Sequence, residues 1–185
     1  MRKLISLMHV SLDGFCGGPK GEMDWISLNG DIFADATDLI DQAGAAVYGR
    51  NVHDMMRGYW PAFLGKPDSP EVRHAHWVEQ IPKLTFSRSM ASSDWNNVHL
   101  RREAKEIFTD KQQAGQDLLI FGSPGLVHAF LALDAIDEFW IFQNPVLLGT
   151  GIPYLKGATR TKLKLLSHKP FENGVIRLHY AKETA

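Results

Sequence analysis

A chain of 185 residues, 44% hydrophobic and 22% charged, has the composition of an ordinary globular domain and can bury roughly 70% of the surface its unfolded form exposes. Its 20 Lys and Arg against 21 Asp and Glu leave a formal net charge of −1, which gives no general attraction for nucleic acid or an anionic membrane, so any anion site must be local. A single cysteine, Cys16, excludes an intramolecular disulfide, and the apolar run from Leu4 to Ser11 is too short to span a membrane.

Met1-Arg2-Lys3 ahead of that run superficially resembles a secretory leader, but His9 and Asp13 interrupt it and no small-residue cleavage site follows, so a cytoplasmic protein is expected. No repeat or low-complexity tract divides the chain, and one domain over residues 1–185 is the expectation. Leu4 to Val10 reads as the first strand, closed by the turn residues Ser11-Leu12-Asp13-Gly14; Cys16 to Gly21 and Gly58 to Pro70 read as loops. Ile32, Phe33, Ala36, Leu39, Ile40 and Ala43 recur at helical spacing, with Asp31 as a possible cap and Gly44 as the stop. A short buried strand, Ala45 to Tyr48, follows.

Ser69-Pro70-Glu71 starts a helix that must end before Pro82. Then come strands at Leu84 to Phe86 and Val98 to Leu100, a helix from Arg102 to Gln113, and a strand at Asp117 to Phe121. This alternation predicts a mainly parallel sheet with helices on both faces. Beyond Glu138 to Gln143, the segments Leu163 to His168 and Val175 to Tyr180 flank Phe171-Glu172-Asn173-Gly174, a hairpin signal that adds antiparallel strands at the carboxyl end.

Three short segments each follow directly on an apolar strand: Gly49-Arg50-Asn51-Val52, Ser87-Arg88-Ser89 and Gly122-Ser123-Pro124-Gly125. In a parallel sheet all three reach the same rim, where open α/β sheets bind ligands. Glycine admits close backbone approach, helices starting near Asn51 and Pro124 aim free amides at an anion, and Arg50 and Arg88 supply guanidinium forks. Two helix ends and two arginines suit a dinucleotide with an extra ribose phosphate, so NADPH fits better than NADH. Neither the Gly-x-Gly-x-x-Gly fingerprint nor a P-loop is present.

In this order, Val10-Ser11-Leu12-Asp13-Gly14, Tyr48-Gly49-Arg50, Phe86-Ser87-Arg88-Ser89, Ile120-Phe121-Gly122-Ser123 and Pro145 to Pro153 resemble the dihydrofolate reductase superfamily. The nearest resemblance is to stand-alone bacterial proteins similar to the reductase domain of riboflavin-biosynthesis deaminase-reductases. It implies a dihydrofolate reductase-like three-layer α/β fold. It also implies an NADPH-dependent oxidoreductase that passes a hydride to a small heteroaromatic or pterin-like substrate, in the manner of a 5-amino-6-(5-phosphoribosylamino)uracil reductase. Gly49-Arg50 and Ser87-Arg88-Ser89 would hold the adenosine side, Gly122 to Gly125 the pyrophosphate, and Val10 and Gly14 would lie near the nicotinamide. A homodimer is implied by the same analogy.

Two positions depart from the pattern. Phe121 stands where riboflavin-type reductases carry an acidic residue, and Trp25 precedes Asp31 at a spacing unlike that of the folate enzymes. Both are candidate substrate contacts. Asp31 is the first candidate for substrate protonation, with helix capping as its alternative, and Asp13 is the second, with turn stabilisation as its alternative. Glu22, Asp24 and Trp25 belong to a glycine-rich loop suited to closing over a ring substrate. His74 and His76, two residues apart on a helix, point to different faces and read as solvated rather than metal-binding; no metal site is expected. The reading from another class is a catalytically inactive NADP-binding or regulatory homodimer, and a weaker one is a structural dimer with an empty groove.

Overall fold

The computed structural model describes residues 1–27 and 30–183. Eight strands form one sheet: β1 (Leu4–Ser11), β3 (Ala43–Gly49), β4 (Lys83–Phe86), β5 (Val98–Arg101), β6 (Asp117–Phe121), β7 (Glu138–Asn144), β9 (Leu163–Pro170) and β10 (Ile176–Lys182). Their spatial order is β5-β4-β3-β6-β1-β7-β10-β9. The first six are mutually parallel, and β10 and β9 are antiparallel, so the expected hairpin extends a parallel sheet. Two short strands, β2 (Phe15–Gly17) and β8 (Ile152–Pro153), pair separately, and β2 runs into the segment from Cys16 that reads as loop from local pattern.

Helices cover both faces. Along β1 the side chains alternate: Leu4, Met8 and Val10 join one core cluster with Ile107, Val127 and Phe130, while Ile5 and Leu7 join another with Ile32, Leu39, Ala75 and Val78. Burial on both faces is why β1 and β6 are almost uninterrupted apolar runs rather than alternating ones. The second cluster belongs to α1 (Gly30–Ile40) and α3 (Pro70–Gln80), with α2 (Arg50–Tyr59) contributing Val52 and Met56. The first cluster belongs to α4 (Ile107–Gln112) and α5 (Pro124–Ala132). Among the described residues no helix is long and apolar enough to cross a membrane.

Helix α3 starts as its sequence dictates, with Ser69 Oγ accepting from the Val72 amide at 3.3 Å and Pro70 in the first turn. Elsewhere tertiary contacts override local signals. Gly44 does not stop α1; the turn Asp41–Gln42 does, and Gly44 lies inside β3 at a register shift. A β-carbon there would come within 2.8 Å of the Gln116 carbonyl, so close strand packing explains this glycine. The helix expected over Arg102 to Gln113 is shorter: a 3₁₀ turn, Ala104–Glu106, capped reciprocally by Glu103 and Glu106, precedes α4. Arg102 has another task, donating to the carbonyls of Ser87 at 2.8 Å and Met90 at 2.5 Å. The loop expected from Gly58 contains the end of α2 and a 3₁₀ turn, Trp60–Phe63, that buries Trp60.

Candidate active site

Because β1, β3, β4, β6 and β7 run in parallel, their carboxyl ends share one edge. There the three sequence segments meet. The Gly49 amide donates to Ser123 Oγ at 2.9 Å, and Ser123 Oγ donates to the Phe121 carbonyl at 3.1 Å, so this hydroxyl bolts the start of α2 to the start of α5. Arg50 donates to Ser89 Oγ at 2.8 Å and lies 3.6 Å from Asp54. Two more contacts tie α2 to the loop after β4: His53 to Ser93 Oγ at 3.1 Å and Arg57 to Asp94 at 2.5 Å. Ser87 is buried, its Oγ accepting from the Met90 amide at 3.0 Å, while Arg88, Ser89, Arg50 and Asn51 stay exposed at the rim.

Gly122 and Ser123 both have left-handed backbone, φ 53° and 54°, which turns the chain sharply from β6 into α5. Val52 packs 3.7 Å from the position of a Gly122 β-carbon, and open space surrounds Gly125. The donor set is therefore two exposed guanidinium groups, a serine hydroxyl, the first-turn amides of α2 and, in α5, the Gly125 amide, since Pro124 has no N–H and the Leu126 amide donates to the Ser123 carbonyl at 2.9 Å. This chemistry fits a pyrophosphate and a further phosphate. Ser123 serves it by shaping the turn, since its hydroxyl is spent within the protein.

The two candidate carboxylates are placed differently from their expected roles in proton transfer. Asp31 is exposed in the first turn of α1 and is not among the residues that line the neighbouring cavity. Asp13 accepts from Ser11 Oγ at 2.6 Å and from the amides of Leu148 (3.2 Å) and Gly149 (2.7 Å). These bonds hold its carboxyl below the usual range and latch the turn after β1 to the loop after β7. Gly14 has φ 87°, and its carbonyl accepts from the Tyr154 amide at 3.0 Å. Val10 is buried in the core cluster of the α4 and α5 face, and Trp25 donates to the Glu22 carbonyl at 2.9 Å.

Beside the rim is a cavity of about 430 Å³. Strands β1 and β6 supply Leu7, His9 and Phe121 to it, and the turn after β6 supplies Gly122; α1 supplies Ile32, Phe33, Ala36 and Ile40. Met55, Met56, Tyr59, Trp60 and His74 close the far wall. Reading His74 with His76 as a solvated pair therefore fails for His74, which is only 5% exposed and packs its ring 4.2 Å from that of Trp60. The usable signal was helical: Ala75 and Val78 are apolar and lie one and four residues after His74, so His74 sits in the buried stripe of α3. His9, stacked 4.9 Å from Phe142, was likewise hidden inside an apolar strand.

Burial pushes both His9 and His74 down from 6.5 to about 4. The unfolded chain binds their protons below about pH 6.5 and the folded chain only near pH 4. Their contribution to stability is thus complete above the higher value and lost as pH falls towards the lower. A melting series is expected to show destabilisation across this window on the order of 1–3 kcal/mol per ring, with a smaller loss in His74→Phe. A melting temperature flat from neutral pH down to pH 4 contradicts it.

A mostly parallel sheet with an antiparallel C-terminal hairpin and an anion-ready rim beside an apolar cavity defines a dihydrofolate reductase-like α/β protein. The chain belongs to the RibD C-terminal domain family, which it matches over residues 2–177. It is 30% identical over 183 residues to the Bacillus subtilis (strain 168) protein YyaP, covering 97% of this chain and 94% of that one. A Shewanella sp. PV-4 structure assigned by name to riboflavin biosynthesis superposes with a TM-score of 0.74 at 20% identity, over 98% of this chain and 99% of that one. Dihydrofolate reductase from Enterococcus faecalis, solved with NADP(H), superposes with a TM-score of 0.68 at 12% identity, over 98% and 97%. These structural likenesses show a shared fold.

Proposed function

We propose that this chain is an NADPH-dependent oxidoreductase that reduces a small heteroaromatic or related ring compound. One observation carries the reading: Gly122 belongs both to the cavity wall and to the turn that opens α5, so the phosphate-suited rim and the apolar cavity are continuous. The family and the NADP(H) complex of a protein with the same fold support it. When bound, NADPH supplies a hydride, and the acceptor gains that hydride and one proton while NADP⁺ is left.

Arg50, Arg88 and Ser89 would hold the phosphate that distinguishes NADPH from NADH, and the first-turn amides of α2 with the Gly125 amide of α5 would hold the bridging phosphates. The Asp13 latch keeps the turn after β1 in place. Phe121 and Trp60 orient the ring and exclude water. Among the described residues the cavity wall holds no carboxyl or ammonium group, so the proton is drawn from water at the cavity mouth. In this reading the chain works as a cytoplasmic homodimer; Leu163, Leu165 and Leu166, exposed on edge strand β9, support self-association.

Cofactor titration and a spectrophotometric screen of ring acceptors test the proposal. Tighter binding of NADPH than NADH, with cofactor oxidation by at least one acceptor, is expected. The positions of Asp31 and Asp13 favour one competitor, a cofactor-binding protein without catalysis, which predicts the same binding and no turnover. Equal affinity for both cofactors sinks the phosphate assignment.

A further inference from the structure

We infer that the cavity selects uncharged planar ring compounds and that His74 recognises a hydrogen-bond acceptor on the ring. The inference rests on the reductase reading only for the fate of the ligand; the selectivity follows from the wall itself.

Charge is the first argument. Among the described residues none of the seventeen that line the cavity is Asp, Glu, Lys or Arg. Burial favours the uncharged form of three of its titratable members: His9 and His74 are pushed down to about 4, and the Cys16 thiol is pushed up to about 11. Cys16 also donates to the Ile152 carbonyl at 3.3 Å. A charged ring, or one carrying a phosphate, would give up hydration here without a counter-charge.

The helix register explains why no carboxylate arrives. Ile32, Ala36 and Ile40 face the cavity four residues apart, whereas Asp31 and Asp35 lie one residue earlier, turned about 100° around α1. Asp35 is moreover engaged by Arg177 at 2.8 Å and Lys169 at 3.0 Å. Phe33, Trp60 and Phe121 give flat apolar surface, and Met8, Met23, Met55 and Met56 add polarisable, adaptable contact.

Recognition is the second argument. Neither ring nitrogen of His74 has a hydrogen-bond partner among the described residues, and Nδ1 is fully enclosed. Orphaned buried N–H groups are rarer than under-satisfied acceptors, so Nδ1 keeps the lone pair and Nε2 carries the proton. The ring is part of the cavity wall, so a carbonyl oxygen or ring nitrogen of the ligand is the partner that this N–H lacks.

Calorimetric titration of the whole protein, with and without NADP⁺, tests this using three redox-inert probes: quinoxaline, the same-shaped naphthalene, and quinoxaline-2-carboxylate. Quinoxaline is expected to bind at least about tenfold tighter than its carboxylate and about fivefold tighter than naphthalene. His74→Phe should abolish the second preference and spare the first, while His74→Gln, which keeps a donor, should retain part of it. Absent binding of quinoxaline, a carboxylate bound equally well, or an unchanged preference over naphthalene in His74→Phe each overturns the inference; if that variant does not fold, unaltered discrimination in His74→Leu does so. NADPH affinity, measured on the same samples, separates the two readings: its loss defeats the reductase proposal, whereas the probe ranking without cofactor decides the selectivity.

Discussion

Replacing Arg50 and Arg88 together by alanine is expected to weaken NADPH binding roughly 10- to 1000-fold while NADH affinity stays within about threefold. A charge-assisted hydrogen bond to phosphate contributes about 1.5–3 kcal/mol. Both guanidinium groups are exposed, so solvent screening places each toward the lower figure and the effect shrinks in high salt. The side chains differ in what holds them. Arg50 is pre-positioned by Ser89 at 2.8 Å and Asp54 at 3.6 Å, so Ser89→Ala should reproduce a fraction of its loss. Arg88 has no such brace among the described residues, but its loop is pinned from beneath by Arg102. Titrating both cofactors against wild type, single variants and the double variant reads the result directly. Equal loss for NADH and NADPH would instead put the arginines at the bridging phosphates.

Asp35→Ala is expected to destabilise the fold by about 3–5 kcal/mol, measured by urea unfolding. The Asp35 and Arg177 side chains are 9% and 11% exposed, and Arg177 also lies over the Trp140 ring at 4.7 Å. Removing the carboxylate strands a guanidinium between α1 and the terminal hairpin, with only the Ser167 hydroxyl at 3.0 Å to meet it. An apolar replacement of both partners, Asp35→Leu with Arg177→Met, should recover much of the loss, because the pair itself contributes little beyond satisfying two buried charges. The single variant should also loosen the wall that α1 gives the cavity, seen as weaker quinoxaline binding. A cost below about 1 kcal/mol for Asp35→Ala would mean that water reaches this pair freely.

Much of the fold was legible because parallel strands covered on both faces must be contiguous apolar runs, and Leu4 to Ser11 and Asp117 to Phe121 are such runs. Helix α3 was legible for a different reason. Ser69 and Pro70 satisfy a helix start using chemistry contained within one turn. The convergence of Gly49, Arg50, Ser89 and Ser123 followed from topology, since parallel strands bring their carboxyl ends to one edge wherever they lie along the chain. Local pattern failed where a residue's partner was remote. Gly44 looked like a helix stop because its true constraint, the carbonyl of Gln116, is seventy-two residues away. Arg102 looked helical because its targets, Ser87 and Met90, lie in another loop.

The amino-acid sequence by itself determined most of the sheet strands and longer helices, that the sheet is mainly parallel, and which glycines and arginines reach its rim; these depend on periodicity, capping and chain direction. Only the tertiary structure decided that the apolar side of α1 lines a cavity rather than a filled core, which leaves Asp31 and Asp35 outside it, and that His74 belongs to the cavity wall. A helix has several faces, and about 100° of rotation separates a carboxylate in a binding site from one outside it. The apolar spacing within residues 32–40 marks the buried side of α1, but whether that side meets a cavity or a filled core depends on the strands and helices opposite it, which lie far away in the chain.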